Sequence, residues 1–177
     1  MQDFMKNIET SRNRPEQLDF YERLGAFLER GGESPLNRMK AFPVYATRQD
    51  ITRFLERYEL YKLCRLVPGS IVECGVGNGC GLMAYAHFCS IFEPYHYVRK
   101  VIGFDTFAGF RGITGADRTS GASHLREGGL DYGSYDLLRE AAALHDDNRP
   151  LGHIPRVELV KGDIRETLPR YLEENPS

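Results

Sequence analysis

The sequence predicts an α/β fold built on a parallel sheet. Three short apolar runs, "SIVECGV" (70–76), "KVIGFD" (100–105) and "RVELVKGD" (156–163), read as buried strands. Stretches of helical spacing separate them, which calls for right-handed crossovers. Each run ends in a glycine-rich or acidic turn, and a parallel sheet puts all of these turns on one edge.

From the N-terminus, "PEQLDFYERLGAFLER" (15–30) spaces Leu18, Tyr21, Leu24, Phe27 and Leu28 for a helix, with Pro15 at its start and Gly31-Gly32 at its stop. "GGESPLNRMKAFPVYA" (31–46) reads as a polar connector. Thr47 then suits an N-cap with Asp50 in the first turn. Ile51, Phe54, Leu55, Tyr58, Leu63 and Leu66 continue a long amphipathic helix that "VPGS" breaks. After the first strand, "GLMAYAHFCSIF" (81–92) is a helix. The segment from Ala108 to Asn148 is rich in Gly, Asp and Ser and contains one helix, "SYDLLREAAALH". Loops this long are usually lids or disordered stretches. "RETLPRYLEE" (165–174) closes the chain as a short helix in which Pro169 sits early or splits it.

At 177 residues the chain can bury a sizeable core. Hydrophobic residues make up 41%, charged residues 27%, and the net charge is -2. No basic excess points to nucleic acid. No apolar run approaches the ~18 residues of a membrane span. "MQDFMKNIETSRNRPEQ" lacks the apolar core of a signal peptide, which makes the cytoplasm the expected compartment. Cys64, Cys74, Cys80 and Cys89 show no CxxC spacing and no adjoining His cluster, so reduced thiols are expected rather than a zinc site.

The chemistry sits in the strand ends. Gly75, Gly77, Asn78 and Gly79 follow the first strand; Asp105, Thr106 and Phe107 the second; Gly162, Asp163 and Ile164 the third. Together they describe a nucleoside-type site. The glycines let backbone approach a ligand closely, and N–H groups at the next helix start can face an anion. Asp105 can accept from a ribose diol; the alternative is a turn or N-cap aspartate. Asp163 can accept from a purine amine while the Ile164 N–H donates to a ring nitrogen; a plain "GD" turn is the alternative. Glu73, inside an apolar strand, demands a partner. Either a cationic ligand group or a local Arg, such as Arg48, would serve.

Two cofactors fit glycines of this kind. A dinucleotide site needs GxGxxG tight after the strand, but Gly75 and Gly77 are followed by Cys80 at the third position. "GCGLMA" fits GxGxxA but begins well past the strand. "ECGVGNG" instead fits the E/D-x-G-x-x-x-G pattern of S-adenosylmethionine sites through Glu73, Gly75 and Gly79.

"VPGSIVECGVGNGCG", "VIGFDTFAGF" and "VELVKGDIRETLP", with the upstream "TRQDITRFLERYELYKLCRLVPG", resemble the macrocin O-methyltransferase (TylF-type) group of class I S-adenosylmethionine-dependent methyltransferases over roughly residues 45–175. The resemblance implies a Rossmann-like domain over 45–177, preceded by a helical extension over 1–44, with sheet order 3-2-1. It implies that Glu73, Gly75, Gly77, Asn78 and Gly79 form the methionine-side loop. Asp105 would hold the ribose, Thr106 and Phe107 would line the pocket, and Asp163 and Ile164 would contact adenine. Thr47 and Arg48 would reach the methionine carboxylate. The implied substrate is a hydroxyl on a sugar or natural-product scaffold, often with Mg2+.

The group's D-x-D-x-Y segment on a fourth strand, which supplies metal ligands and base, does not occur in these 177 residues. The expectation is therefore half of a doubly wound sheet with its first strand at the edge, in a truncated methyltransferase or one completed by an oligomer or a second chain. His87, His96, His124, His145, His153, Asp117 and Asp131 are the base candidates, and none is assigned the role. A non-catalytic remnant and an NAD-dependent oxidoreductase are the competing functions.

Overall fold

The computed structural model describes residues 14–113 and 125–176. The chain divides into two compact units, one ending at Ile51 and one beginning at Thr52.

In the first unit, α1 (Pro15–Arg30) opens with proline at its first position. The Gln17 side chain accepts the Arg14 N–H at 2.8 Å, closing the helix start. The region read as a connector holds two short helices, α2 (Pro35–Lys40) and α3 (Phe42–Tyr45), each with proline in its first turn. Ser34 caps α2 by accepting from the Asn37 N–H at 3.3 Å. Arg38 donates to the Leu28 carbonyl at 2.9 Å and to that of Gly31, satisfying the end of α1. Phe27 stacks on Tyr45 with ring centroids 5.7 Å apart. Thr47 caps α4 (Arg48–Cys64) reciprocally: its N–H donates to Asp50 Oδ2 at 3.1 Å, and its Oγ1 accepts the Asp50 N–H at 3.2 Å.

The second unit contains the sheet. Strands β1 (Ile71–Cys74), β2 (Val101–Asp105) and β3 (Val157–Lys161) are parallel in the order β1-β2-β3, the expected 3-2-1 arrangement read from the other side. Register pairs Glu73 with Gly103 and Asp105 with Lys161. Helix α5 (Cys80–Phe92) covers one face and buries Leu82, Ala84, Ala86, Phe88 and Cys89. Phe88 anchors it against Phe54, Tyr58 and Tyr61 of α4, at centroid distances of 4.9, 5.5 and 5.6 Å. Helix α6 (Tyr135–Asp147) buries Leu138, Ala142 and His145. On the opposite face α7 (Ile164–Glu174) sets Tyr171 edge-on to Phe104 at 5.4 Å. Pro169 lies inside α7 without splitting it.

Two expectations are corrected. β1 is not a buried strand: Val72 is 48% exposed and Cys74 is exposed, because α7 covers the second face only over β2 and β3, and among the described residues β1 pairs with β2 alone. The apolar residues of α4 do not form one buried stripe either. Leu55 and Leu63 point away from α5 and stay exposed, while Tyr61 is fully buried. Buried arginines tie the connections together. Arg99 donates to the carbonyls of Gly69, Arg65 and Val67 at 2.8, 3.1 and 2.9 Å, and pairs with Glu93 at 3.2 Å.

Candidate functional site

The carboxyl ends of β1, β2 and β3 open into a cavity of about 680 Å3, within the range that holds small ligands. Its floor combines Gly75, Gly77 and Asn78 after β1, Asp105 and Thr106 after β2, and Asp163 and Ile164 at the start of α7. With Gly162 after β3, eight of the strand-end residues singled out in the sequence thus meet in one place. Its wall is a strap that sequence patterning did not single out: Phe110, Arg111 and Gly112 from one side, Leu130 and Tyr132 from the other, with Arg165 alongside. The strap is held by backbone pairing, Phe110 N–H to the Gly129 carbonyl and Gly128 N–H to the Phe110 carbonyl, both at 2.9 Å. Thr106 Oγ1 donates to the Gly109 carbonyl at 2.8 Å. Only the glycines of "FAGFRG" signal this turn in the sequence.

Asp105 organises the floor. Its Oδ2 accepts the Gly77 N–H at 2.9 Å and its Oδ1 accepts the Phe107 N–H at 2.8 Å. One aspartate therefore clamps the glycine loop to the strap's first turn. A carboxylate has about four acceptor positions. Two remain for a ligand, which matches a vicinal diol. Phe107 holds a positive φ of 51° and packs its ring on Tyr135 at 4.9 Å, behind the cavity wall.

Gly79 does not line the cavity. It adopts φ 81° as the N-cap of α5, and a β-carbon there would press on Leu138 at 2.9 Å. Ser134 binds the same loop from α6, donating to the Gly77 carbonyl at 2.7 Å.

Glu73 also lies outside the cavity. It projects from β1 onto the α5 face, beneath the helix start, where the Leu82 N–H donates to it and Arg57 supplies the nearest positive charge. Burial raises its pKa, and Arg57 and the Leu82 N–H partly offset this. Its Oε2 has no hydrogen-bond partner among the described residues. The local arginine is thus Arg57; Arg48 opens α4 in the first unit, as does its capping residue Thr47.

Asp163 caps α7 through the Arg165 N–H at 2.9 Å and forms an ion pair with the Arg165 guanidinium at 2.6 Å. That pairing pulls its pKa down to about 2. Arg165 occupies both carboxylate oxygens.

Of the base candidates, His124 and Asp117 lie outside the described residues. Asp131 turns its carboxylate to the Gly133 N–H at 2.9 Å. His87 and His145 pack together with ring centroids 4.7 Å apart, away from the cavity, and His96 accepts from the Arg99 N–H. His153 is exposed. Among the described residues no cluster of three or more His, Cys, Asp or Glu side chains could hold a metal ion, and no helix is long and apolar enough to cross a membrane.

No family model matches the sequence. No curated protein matches it either. Among solved structures, the chain is similar to CalS11, a calicheamicin methyltransferase, at 33% identity and a TM-score of 0.85, over 93% of this chain and 65% of that one. It is also similar to an apo structure of CalS11 described as a TDP-rhamnose 3'-O-methyltransferase of calicheamicin biosynthesis, at 31% identity and a TM-score of 0.75, over 93% of this chain and 63% of that one. The chain thus spans just under two thirds of the methyltransferase it matches. The fold, an α/β arrangement on a three-stranded parallel sheet, matches that of the methyltransferase CalS11.

Proposed function

We propose that the cleft binds S-adenosylmethionine and that the chain is an O-methyltransferase of the macrocin type, acting on a hydroxyl of a sugar or natural-product acceptor. The carrying observation is Asp105, which lines the cavity and fixes the glycine loop and the strap while two of its acceptor positions remain open. Likeness to a methyltransferase whose described substrate is TDP-rhamnose supports the acceptor class.

The residues present fit the cofactor. Open space lies above Gly75, where an added β-carbon would meet nothing within 4 Å, so backbone can face the methionine portion. Gly77 and Asn78 continue that surface. Asp105 would take the ribose hydroxyls. Thr106 and Ile164 would flank the adenine, with Asp163 at its edge. Phe107 would act from behind, through the turn that Asp105 holds. Glu73 and Gly79 would position the loop through α5 rather than touch the ligand. When bound, the cofactor supplies an electrophilic methyl group. The protein's part is to orient the acceptor hydroxyl in line with it and exclude water.

Calorimetric titration with S-adenosylhomocysteine tests the reading. Binding that is lost in Asp105→Ala supports it. A folded sample that fails to bind, or that prefers NAD in competition, overturns it. Binding without methylation of a hydroxylated sugar would favour a non-catalytic remnant.

A further inference from the structure

The cavity's ionised side chains are unequally committed. Asp163 and Arg165 neutralise each other at 2.6 Å. Asp105 is held by two backbone N–H groups. Arg111 has no carboxylate or carbonyl partner among the described residues, although it lines the same cavity. Glu127, on the facing side of the strap, accepts the Gly112 N–H at 3.2 Å.

Position adds to charge. On the cofactor reading above, on which this inference rests, the strand ends and the start of α7 are taken. The strap remains for the second ligand. Its Tyr132 ring stands 3.5 Å from where a Gly77 β-carbon would be, so the strap meets the loop at its methionine side. Backbone pairing at Phe110 fixes the strap, and the exposed Arg111 side chain extends from that fixed base.

We propose that Arg111 recognises the acceptor by binding its phosphate, and that the acceptor is a nucleoside diphosphate-linked sugar. A guanidinium presents paired N–H donors that match phosphate oxygens bidentately. A neutral sugar or macrolide offers no anion to this cation.

The test is titration of thymidine diphosphate into protein saturated with S-adenosylhomocysteine, beside thymidine and inorganic pyrophosphate. The expected result is binding of the diphosphate, at least about tenfold weaker in Arg111→Ala and Arg111→Gln and intermediate in Arg111→Lys. Binding of the diphosphate should weaken as salt rises. S-adenosylhomocysteine affinity should stay within about threefold in all variants. Pyrophosphate binding with the same Arg111 dependence supports phosphate capture. The proposal is overturned if thymidine binds as well as its diphosphate, if the variants bind equally, or if they lose S-adenosylhomocysteine instead, which would make Arg111 a cofactor residue. Cofactor binding without diphosphate binding sinks this proposal alone. Arg111-dependent diphosphate binding without cofactor binding sinks the cofactor reading alone.

Discussion

Glu73 and Gly81 are shaped around each other. A β-carbon on Gly81 would fall 2.9 Å from Glu73 Cδ, closer still to Oε1, and 3.1 Å from Arg57 Nε. The missing side chain at the first turn of α5 is the space in which the strand's carboxyl group is buried.

Gly81→Ala should therefore destabilise the fold by about 1–3 kcal/mol through overpacking, against a helix-propensity gain of up to about 1 kcal/mol. In a Glu73→Ala background the clash with the carboxyl group is gone and only the flexible Arg57 side chain must shift slightly, so the same substitution should be near neutral or stabilising. Urea unfolding of the four proteins in this cycle measures the coupling. Equal cost of Gly81→Ala in both backgrounds would refute the relationship.

This pairing also shows where the sequence was legible. β2 could be read because its apolar run is buried on both faces, β3 and α5 because their runs are apolar although β3 buries only Val157 fully, and the strand-end turns followed from parallel topology. An acidic residue in an apolar strand rightly signalled a buried carboxyl. Its partners could not be read, because Arg57 and the Leu82 N–H reach it through the packing of α4 and α5 on β1. The exposure of Val72 depends likewise on where α7 stops. Helices α2 and α3 escaped notice because their prolines resemble connector residues, though Ser34-Pro35 is a cap followed by a first-turn proline. The strap wall is tertiary: nothing local in "FRG" predicts pairing of Phe110 with Gly128 and Gly129.

Asp105→Asn should weaken S-adenosylhomocysteine binding at least tenfold while leaving a folded protein. The amide NH2 would face either the Gly77 or the Phe107 N–H and leave that one donor without an acceptor, at a cost of about 1–3 kcal/mol. Calorimetry and thermal unfolding together separate this from global unfolding. Unchanged affinity would remove Asp105 from the site.

His145 should make stability fall in mild acid. It is 7% exposed, Ser90 Oγ lies 2.9 Å from its Nε2, and burial followed by the His87 ring pushes its pKa down to about 4. Asp146 opposes that shift, while Arg149 and Arg156 add to it. The unfolded chain takes up this proton near pH 6.5, whereas the folded protein resists until about pH 4. Stability is thus fully present above about pH 6.5 and declines as pH falls toward 4, by roughly 2 kcal/mol between pH 7 and 5. Urea unfolding at the two pH values should show this loss, and His145→Gln should reduce it. An unchanged pH dependence in that variant would clear His145 of the effect.

The Asp163–Arg165 pair predicts a loss in the same direction, in a more acidic window. Arg165 lowers the Asp163 pKa to about 2, first through its side chain and then through its backbone N–H. A carboxyl depressed in the folded state contributes stability above its unfolded pKa near 4, and that contribution is lost as pH falls toward 2. In Arg165→Ala the backbone N–H remains but the guanidinium does not. Carbon-detected NMR should then show the Asp163 carboxyl titrating at higher pH than in the parent protein. The same variant frees Oδ2 of Asp163, while Oδ1 still accepts the backbone N–H. If Asp163 reads an adenine amine, S-adenosylhomocysteine should bind Arg165→Ala at least as tightly as the parent. Weakened binding would instead place Arg165 itself against the ligand.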